Sequence, residues 1–393
     1  MPSVTVIGVS GGPLPARASE RLAGAALVVG ARRHLDALPL PEHARTHVLR
    51  DVEGALDAVA GADGPAVVLA TGDPGFFGIV RLLRARGIDL DVIPAVSTIS
   101  AAFAEVGLSW DDALVVSAHG RELRRAVNAC RAAGKVAVLT GPDAGPAQLG
   151  AALSGLRRRM VIAERLGTPA QRVVECTPEE AAGRCWAEPN VVLVLGDDPA
   201  ERGWAFPRRQ SPPGWGLPDD AFEHRAGMLT KAEVRALALG HLGPGVGDLV
   251  WDVGAGCGSV AVECARFGAA VVAVDRDPDQ CDRVRRNAAA HRVEVEVVRA
   301  AAPACLAGLP EPDAAFVGGG GLDAVAACAA REPRAVVVAL AAVDRVAPAR
   351  EALRRSAYRV GGAAVHCSRL ADLPDGSTRL AATNPVFLVW GRR

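Results

Sequence analysis

The chain has 393 residues, enough for two or three compact cores and too many for a single small module. Half of the residues are hydrophobic and 22% are charged, which excludes a disordered chain. Its 44 basic residues balance 44 acidic ones, so no global positive field draws it to nucleic acid or to anionic membranes.

Lys135 and Lys231 are the only lysines, so arginine, whose planar fork grips carboxylates, supplies nearly all the positive charge. The nine cysteines form no C-x-x-C pair and accompany no histidine cluster, which reads as reduced thiols and no metal site. The start, MPSVTVIGVSGG, lacks a basic segment followed by an apolar run, and no stretch of about 18 apolar residues occurs. The expectation is a cytoplasmic protein that contacts neither membrane nor nucleic acid.

Short apolar runs at Val4–Ile7, Leu27–Val29, Val67–Ala70, Leu114–Ser117, Val136–Leu139 and Val191–Leu195 alternate with helical stretches. That rhythm predicts an α/β domain over residues 1–200. Between Asp197 and Asp220, five prolines and three glycines deny the backbone a regular ladder. A linker is therefore assigned to residues 201–220, with Trp204, Phe206 and Trp215 expected to lie against a domain surface. A second α/β rhythm fills residues 221–393, with strands at Leu249–Val253, Val271–Asp275, Val293–Val298, Ala314–Val317, Ala335–Leu340 and Pro385–Trp390. The halves share a rhythm but no repeated motif.

The most informative segment is VWDVGAGCGSVAVE, Val250 to Glu263, where an apolar strand meets Gly254, Gly256 and Gly258 before a helix. Such glycines let a ligand approach backbone N–H groups. Asp275 ends the next strand, where a carboxylate can accept the hydroxyls of a ribose. A dehydrogenase would carry G-x-G-x-x-G to cradle a pyrophosphate. The spacing here is G-x-G-x-G, with Asp252 two residues ahead of it.

That pattern resembles the class I S-adenosylmethionine (SAM) methyltransferases, a Rossmann-like fold. The resemblance narrows with FEHRAGMLTKAEVRALALGHL (Phe222–Leu242), DAAFVGGGG (Asp313–Gly321) and TNPVFLVWG (Thr383–Gly391), which look like the precorrin-decarboxylating methyltransferase domain. It implies cofactor contacts from Thr230, Gly254, Ala255, Gly256, Cys257, Gly258, Asp275 and Ala302. The loop Ala300–Pro303 would lie by the adenine, with Ala301 where relatives often carry an acidic residue. A precorrin is rich in carboxylates, so Arg225, Lys231 and Arg235 beside Thr230, together with Asn384, are the substrate-binding candidates. An ordinary solvated helix face is the competing reading of the three cations.

In the first half, VVGARRHLDAL (Val28–Leu38), LATGDPGFFGI (Leu69–Ile79), the run from Ile93 to Arg121, AERLGTPAQRV (Ala163–Val173) and PNVVLVLG (Pro189–Gly196) occur in order. Alone, Gly72, Asp73 and Pro74 make a favourable turn, and Ser97 and Thr98 suit a helix cap. In this order the motifs resemble the two-lobed tetrapyrrole methylase family, in its precorrin-6Y carbon-5 branch. The resemblance implies that Gly72, Asp73, Pro74, Ser97 and Thr98 line a cofactor cleft between lobes. The first loop, Gly8–Pro13, is shorter than the G-x-G-x-x-G of relatives.

Taken together, the two resemblances imply one SAM per domain and a tetrapyrrole substrate. They also imply methylation at two meso carbons, loss of a ring C acetate carboxyl, and a homo-oligomer. In-line methyl transfer to an enamine-like carbon depends on alignment and water exclusion more than on a strong base. RNA modification is the alternative, although a basic patch or appended RNA-binding module is not evident.

Overall fold

The computed structural model describes residues 4–76, 78–196, 214–225 and 228–393. It divides into two compact units, Met1–Arg121 with Ala137–Asp197, and Glu122–Val136 with Asp198–Arg393.

The first unit opens with β1 (Val4–Val9), whose six residues are all buried, as expected of a central strand covered on both faces. It is followed by β2 (Leu27–Gly30), β3 (Arg45–Val48), β4 (Ala66–Thr71) and β5 (Leu90–Ile93). They form a sheet of order β3-β2-β4-β1-β5, paired in parallel throughout. A second sheet, of order β6-β7-β10-β8-β9, combines β6 (Leu114–Ser117), β7 (Lys135–Leu139), β8 (Arg159–Glu164), β9 (Arg172–Cys176) and β10 (Asn190–Leu195). Its core joins the helix Thr98–Glu105, through Ile99, Ala102 and Phe103, to Val161, Ala163, Val191 and Leu193.

The second unit is built on β11 (Leu249–Val253), β12 (Ala270–Asp275), β13 (Glu296–Arg299), β14 (Ala314–Val317), β15 (Ala335–Leu340), β16 (Arg359–Val365) and β19 (Val386–Arg392). A separate hairpin pairs β17 (Ser368–Asp372) with β18 (Thr378–Ala382). The seven-stranded order is β13-β12-β11-β14-β15-β19-β16, with β19 antiparallel to both neighbours. Strand order reverses beside β11, and ligands of open α/β sheets bind at such a switch point. The helix Leu123–Ala132 also belongs to this unit. Asn128 Nδ2 donates to the Gly247 carbonyl at 3.1 Å and Arg131 Nη1 to Glu296 at 2.8 Å, while Ala132 joins the buried cluster around Trp251.

Of the expected strands, Val293–Val298 begins late. The Val293 amide donates to the Ala288 carbonyl at 3.0 Å, closing the preceding helix, and ladder pairing starts only at Glu296. Trp204 and Phe206 lie outside the described residues. Trp215 packs at a tilt on Phe267, ring centroids 6.2 Å apart.

The end of the proline-rich segment, at Gly216 and Leu217, is fixed by a buried ion pair. Arg235 Nε donates to Glu263 Oε1 at 2.6 Å, and both side chains are fully buried. Glu263 also accepts the Gly216 and Leu217 amides at 2.8 and 2.9 Å, while Arg235 reaches the Leu217 and Thr230 carbonyls. The arginine stacks on the buried Phe222 ring, 4.6 Å from its centroid. Removing one partner strands a buried charge, so Glu263→Gln should destabilise the second unit by about 3–5 kcal/mol in denaturant unfolding. A loss below about 1 kcal/mol, the range of an exposed pair, would contradict this account.

Candidate active sites

In the second unit, β11 delivers the chain into Gly254, Ala255, Gly256, Cys257 and Gly258, and the helix Ser259–Arg266 follows. The three glycines have φ of 70°, 56° and 77°, in the left-handed region. Gly254 has a second constraint, since a Cβ there would lie 2.5 Å from the Cα of Gly319 in the loop after β14. The Val253 carbonyl accepts the Gly318 and Gly319 amides at 2.9 and 3.2 Å, which explains the glycine run following β14. Around Gly256 the same position is open space, so a ligand can lie against its backbone.

Asp275, at the end of β12, accepts the Gly256 amide on Oδ2 and the Asp277 amide on Oδ1, both at 2.9 Å. It therefore shapes the glycine loop, and each oxygen keeps a lone pair for a ribose hydroxyl. Asp252 is buried beneath the loop. Its Oδ2 accepts the Ala261 amide at 2.9 Å, while Oδ1 is buried without a hydrogen-bond partner. Burial, with a smaller push from Asp275, raises its carboxyl to about 7. The open face at Gly256 and the lone pairs left on Asp275 suit a hydroxyl-bearing ligand such as SAM. Ala302 lies in the loop after β13, partly buried against the core beneath.

The substrate candidates separate. Arg225 and Asn384 are exposed. Lys231 lies 3.6 Å from Asp219. Arg235 is a correction: it has no exposed surface and its fork is committed to Glu263, Leu217 and Thr230, so it cannot meet a substrate carboxylate. What it does is hold the backbone of Thr230.

Among the described residues of the first unit are cavities of about 350 and 730 Å³. The smaller is lined by Asp73 and Pro74 of the turn after β4, by Ser97 and Thr98, by Ser117, Leu139 and Asn190 of the second sheet, and by Thr140 just after β7. Gly72 has φ 65°, and its amide donates to the Val9 carbonyl at 2.8 Å. Asp73 accepts the Gly75 amide at 2.8 Å, and Ser97 Oγ caps its helix by accepting the Ser100 amide at 3.0 Å. Thr98 lines both cavities. The larger cavity is walled by Ser10, Gly11 and Gly12 of the short first loop, opposite Gly167. Cβ atoms could not fit there: one at Gly8 would lie 2.4 Å from the Gly72 carbonyl oxygen, and one at Gly11 would overlap Gly167. Sequence reasoning passed over Arg33, His34 and Thr71, which stand at both cavities although they lie within the quoted motifs.

Residues 4–182 match the family described as Tetrapyrrole (Corrin/Porphyrin) Methylases, and residues 220–386 the Precorrin methyltransferase domain. A precorrin-6Y C(5,15)-methyltransferase [decarboxylating] from Sinorhizobium sp is 37% identical over 82% of this chain and 79% of its own length. The chain belongs to the decarboxylating precorrin-6Y C5,15-methyltransferase family. It is a methyltransferase, then, and RNA modification is not favoured. Two shorter relatives each align with under half of it. A probable cobalt-precorrin-6B C(15)-methyltransferase (decarboxylating) from Pyrobaculum calidifontis is 37% identical over 44% of this chain and 94% of its own. A cobalt-precorrin-7 C(5)-methyltransferase from Salmonella typhimurium is 31% identical over 46% and 90%.

No helix among the described residues is long and apolar enough to cross a membrane. Among them, no group of three or more His, Cys, Asp or Glu side chains is placed to hold a metal ion.

Asp275→Ala should weaken SAM binding at the second unit by about 1–3 kcal/mol, the cost of leaving hydroxyls unpartnered, as read by calorimetry. Unchanged affinity would remove the ribose role. Asp252 gives a pH test. Its folded value of about 7 lies above the ordinary 3.8, so its contribution is fully present at low pH and is lost as pH rises towards 7. Wild type should lose up to about 1.4 kcal/mol per pH unit between pH 5 and 7 relative to Asp252→Asn, then run parallel to it. Parallel urea-unfolding profiles throughout would show that the buried carboxyl is ionised already.

Proposed function

We propose that this chain uses SAM to methylate precorrin-6B at carbons 5 and 15 and to release the ring C acetate carboxyl as carbon dioxide, giving precorrin-8 for cobalamin. Residues 1–200 take the carbon-5 methylation. Residues 221–393 take the carbon-15 methylation and the decarboxylation, and residues 201–220 link them. One observation carries this reading: each half has its own glycine-bearing crevice, and each matches a family of its own. A homo-oligomer and a cytoplasmic setting accompany it.

When bound, SAM supplies an electrophilic methyl group and leaves as S-adenosylhomocysteine. The new carbon–carbon bond takes the electron pair of the enamine-like meso carbon. In decarboxylation the carbon–carbon bond to the carboxyl breaks, its electrons pass into the protonated macrocycle, and a proton takes the carboxyl's place. In the second unit, Gly254 to Gly258 offer backbone donors, Asp275 fixes the loop and the ribose, and Thr230, held by Arg235, closes the side. In the first unit, Asp73 and Pro74, on the turn that Gly72 opens, and Ser97 and Thr98 line the cofactor's cavity. These residues align the reactants and exclude water, and effective molarities from such alignment reach about 10⁵–10⁸ M. No strong base is required.

The full chain, given precorrin-6B and SAM, should yield a product heavier by two methyl groups and lighter by one carbon dioxide in mass spectrometry. Asp275→Ala in the full chain should slow both the carbon-15 methylation and the decarboxylation. If it slowed carbon-5 methylation of precorrin-7 and spared decarboxylation, the division of chemistry between units would be wrong.

A further inference from the structure

Three side chains of the first unit meet where the two cavities adjoin. Arg33 and His34 lie in the helix Arg32–Ala37, and Thr71 ends β4, immediately before the Gly72–Pro74 turn. All three line both cavities. Arg33 Nη2 donates to Thr71 Oγ1 at 2.7 Å, and His34 Nε2 lies 2.8 Å from the same oxygen.

Thr71 Oγ1 carries two lone pairs and one proton: it accepts from Arg33, which can only donate, and it meets His34 Nε2 as donor or as acceptor according to the tautomer of the ring. Either way the hydroxyl bridges Arg33 and His34. Burial, assisted by the charge of Arg33, lowers the pKa of His34 to about 4, so the imidazole is neutral at physiological pH. His34 is nearly enclosed, whereas Arg33 is exposed to the cleft. One of the five N–H donors of Arg33 is thus spent on orientation by Thr71, and the rest of the planar fork is presented to the cavities.

The fork itself matches a carboxylate, to which a guanidinium donates two parallel hydrogen bonds. Partial burial lowers the pKa of Arg33, and Glu188, on the wall of the larger cavity, raises it through its charge. The smaller cavity contains the turn and helix start assigned to the cofactor. The larger, walled by the first loop and Gly167, has room for part of a bulky acceptor.

We propose that Arg33 anchors a carboxylate of the tetrapyrrole substrate in the first unit, with Thr71 and His34 as positioning residues that aim its guanidinium. This rests on the carbon-5 reading above. The anchor holds the substrate's rim at the junction of the cavities, so that a meso carbon faces the methyl donor while the acidic side chains stay paired.

The test uses the full chain and precorrin-7, the tetrapyrrole that the second unit's reaction delivers. Arg33→Ala should raise KM for the tetrapyrrole about 10-fold to 100-fold, the loss of a charge-assisted pair, with Kd for SAM and the unfolding midpoint unchanged. Arg33→Lys should recover part of that loss, because a point charge cannot reproduce the fork. Thr71→Val, which keeps the shape but removes the acceptor, should raise KM less than Arg33→Ala does. An unchanged KM in Arg33→Ala overturns the proposal while leaving carbon-5 chemistry standing. A rise in Kd for SAM with KM unaffected overturns it too, assigning the arginine to the methionyl carboxylate. A wild-type chain that binds precorrin-7 but never methylates it overturns the functional reading and this inference together.

Discussion

Backbone meets backbone at both crevices, and the rest of the design follows from it. In the second unit Gly254 abuts Gly319, and in the first unit Gly8 abuts the Gly72 carbonyl while Gly11 abuts Gly167. At each contact a Cβ would overlap main-chain atoms, so the loops close only if glycine occupies them. With side chains excluded, these walls can offer ligands only N–H and C=O groups. Charge must be brought up from outside the glycine loops. Asp275 does this in the second unit, and Arg33, held by Thr71, does it in the first.

The supporting residues carry the energetic cost of that arrangement. Arg235 and Glu263 bury two opposite charges, a gain only where hydrogen bonds satisfy the remaining donors and acceptors. Here they do, because the pair takes up the Gly216 and Leu217 amides and the Leu217 and Thr230 carbonyls. The ion pair thereby couples the glycine-loop helix to the chain entering the unit. Asn287 works in the same way: its Nδ2 donates to the Cys257 and Glu223 carbonyls at 2.8 and 3.0 Å, tying the loop to the Phe222 segment. On the other side, Arg369 makes paired hydrogen bonds to Glu233 at 2.9 and 2.7 Å and one to Asp219 at 2.8 Å, fastening the β17–β18 hairpin to the helix beginning at Ala232.

Buried parallel strands were legible because they are continuous apolar runs: Leu249–Val253, Ala314–Val317 and Ala335–Leu340 were placed with their observed bounds. The edge strand β3 and the β17–β18 hairpin were not. RTHV of β3 has no apolar run, and the β17–β18 hairpin exposes Leu370 and Leu380. The glycine loop and Asp275 were readable from spacing, since a tight strand-to-helix turn and a strand-end carboxylate leave marks in sequence. The fate of Arg235 was not, because a cation on a helix looks the same whether it faces solvent or a buried Glu263 from 28 residues away. Arg33 and His34 were hidden likewise, since their function depends on Thr71, 37 residues further along from His34. Nor could chain order show that Leu123–Ala132 belongs with the second unit.

The central claim is that two separate backbone-walled crevices each hold a methyl donor. Calorimetric titration of the full-length chain with SAM tests it most directly. Two molecules bound per chain is the expected result, with Asp275→Ala weakening one class of site and leaving the other as it was. A single site per chain, or a substitution at Asp275 that weakened every site equally, would contradict the account.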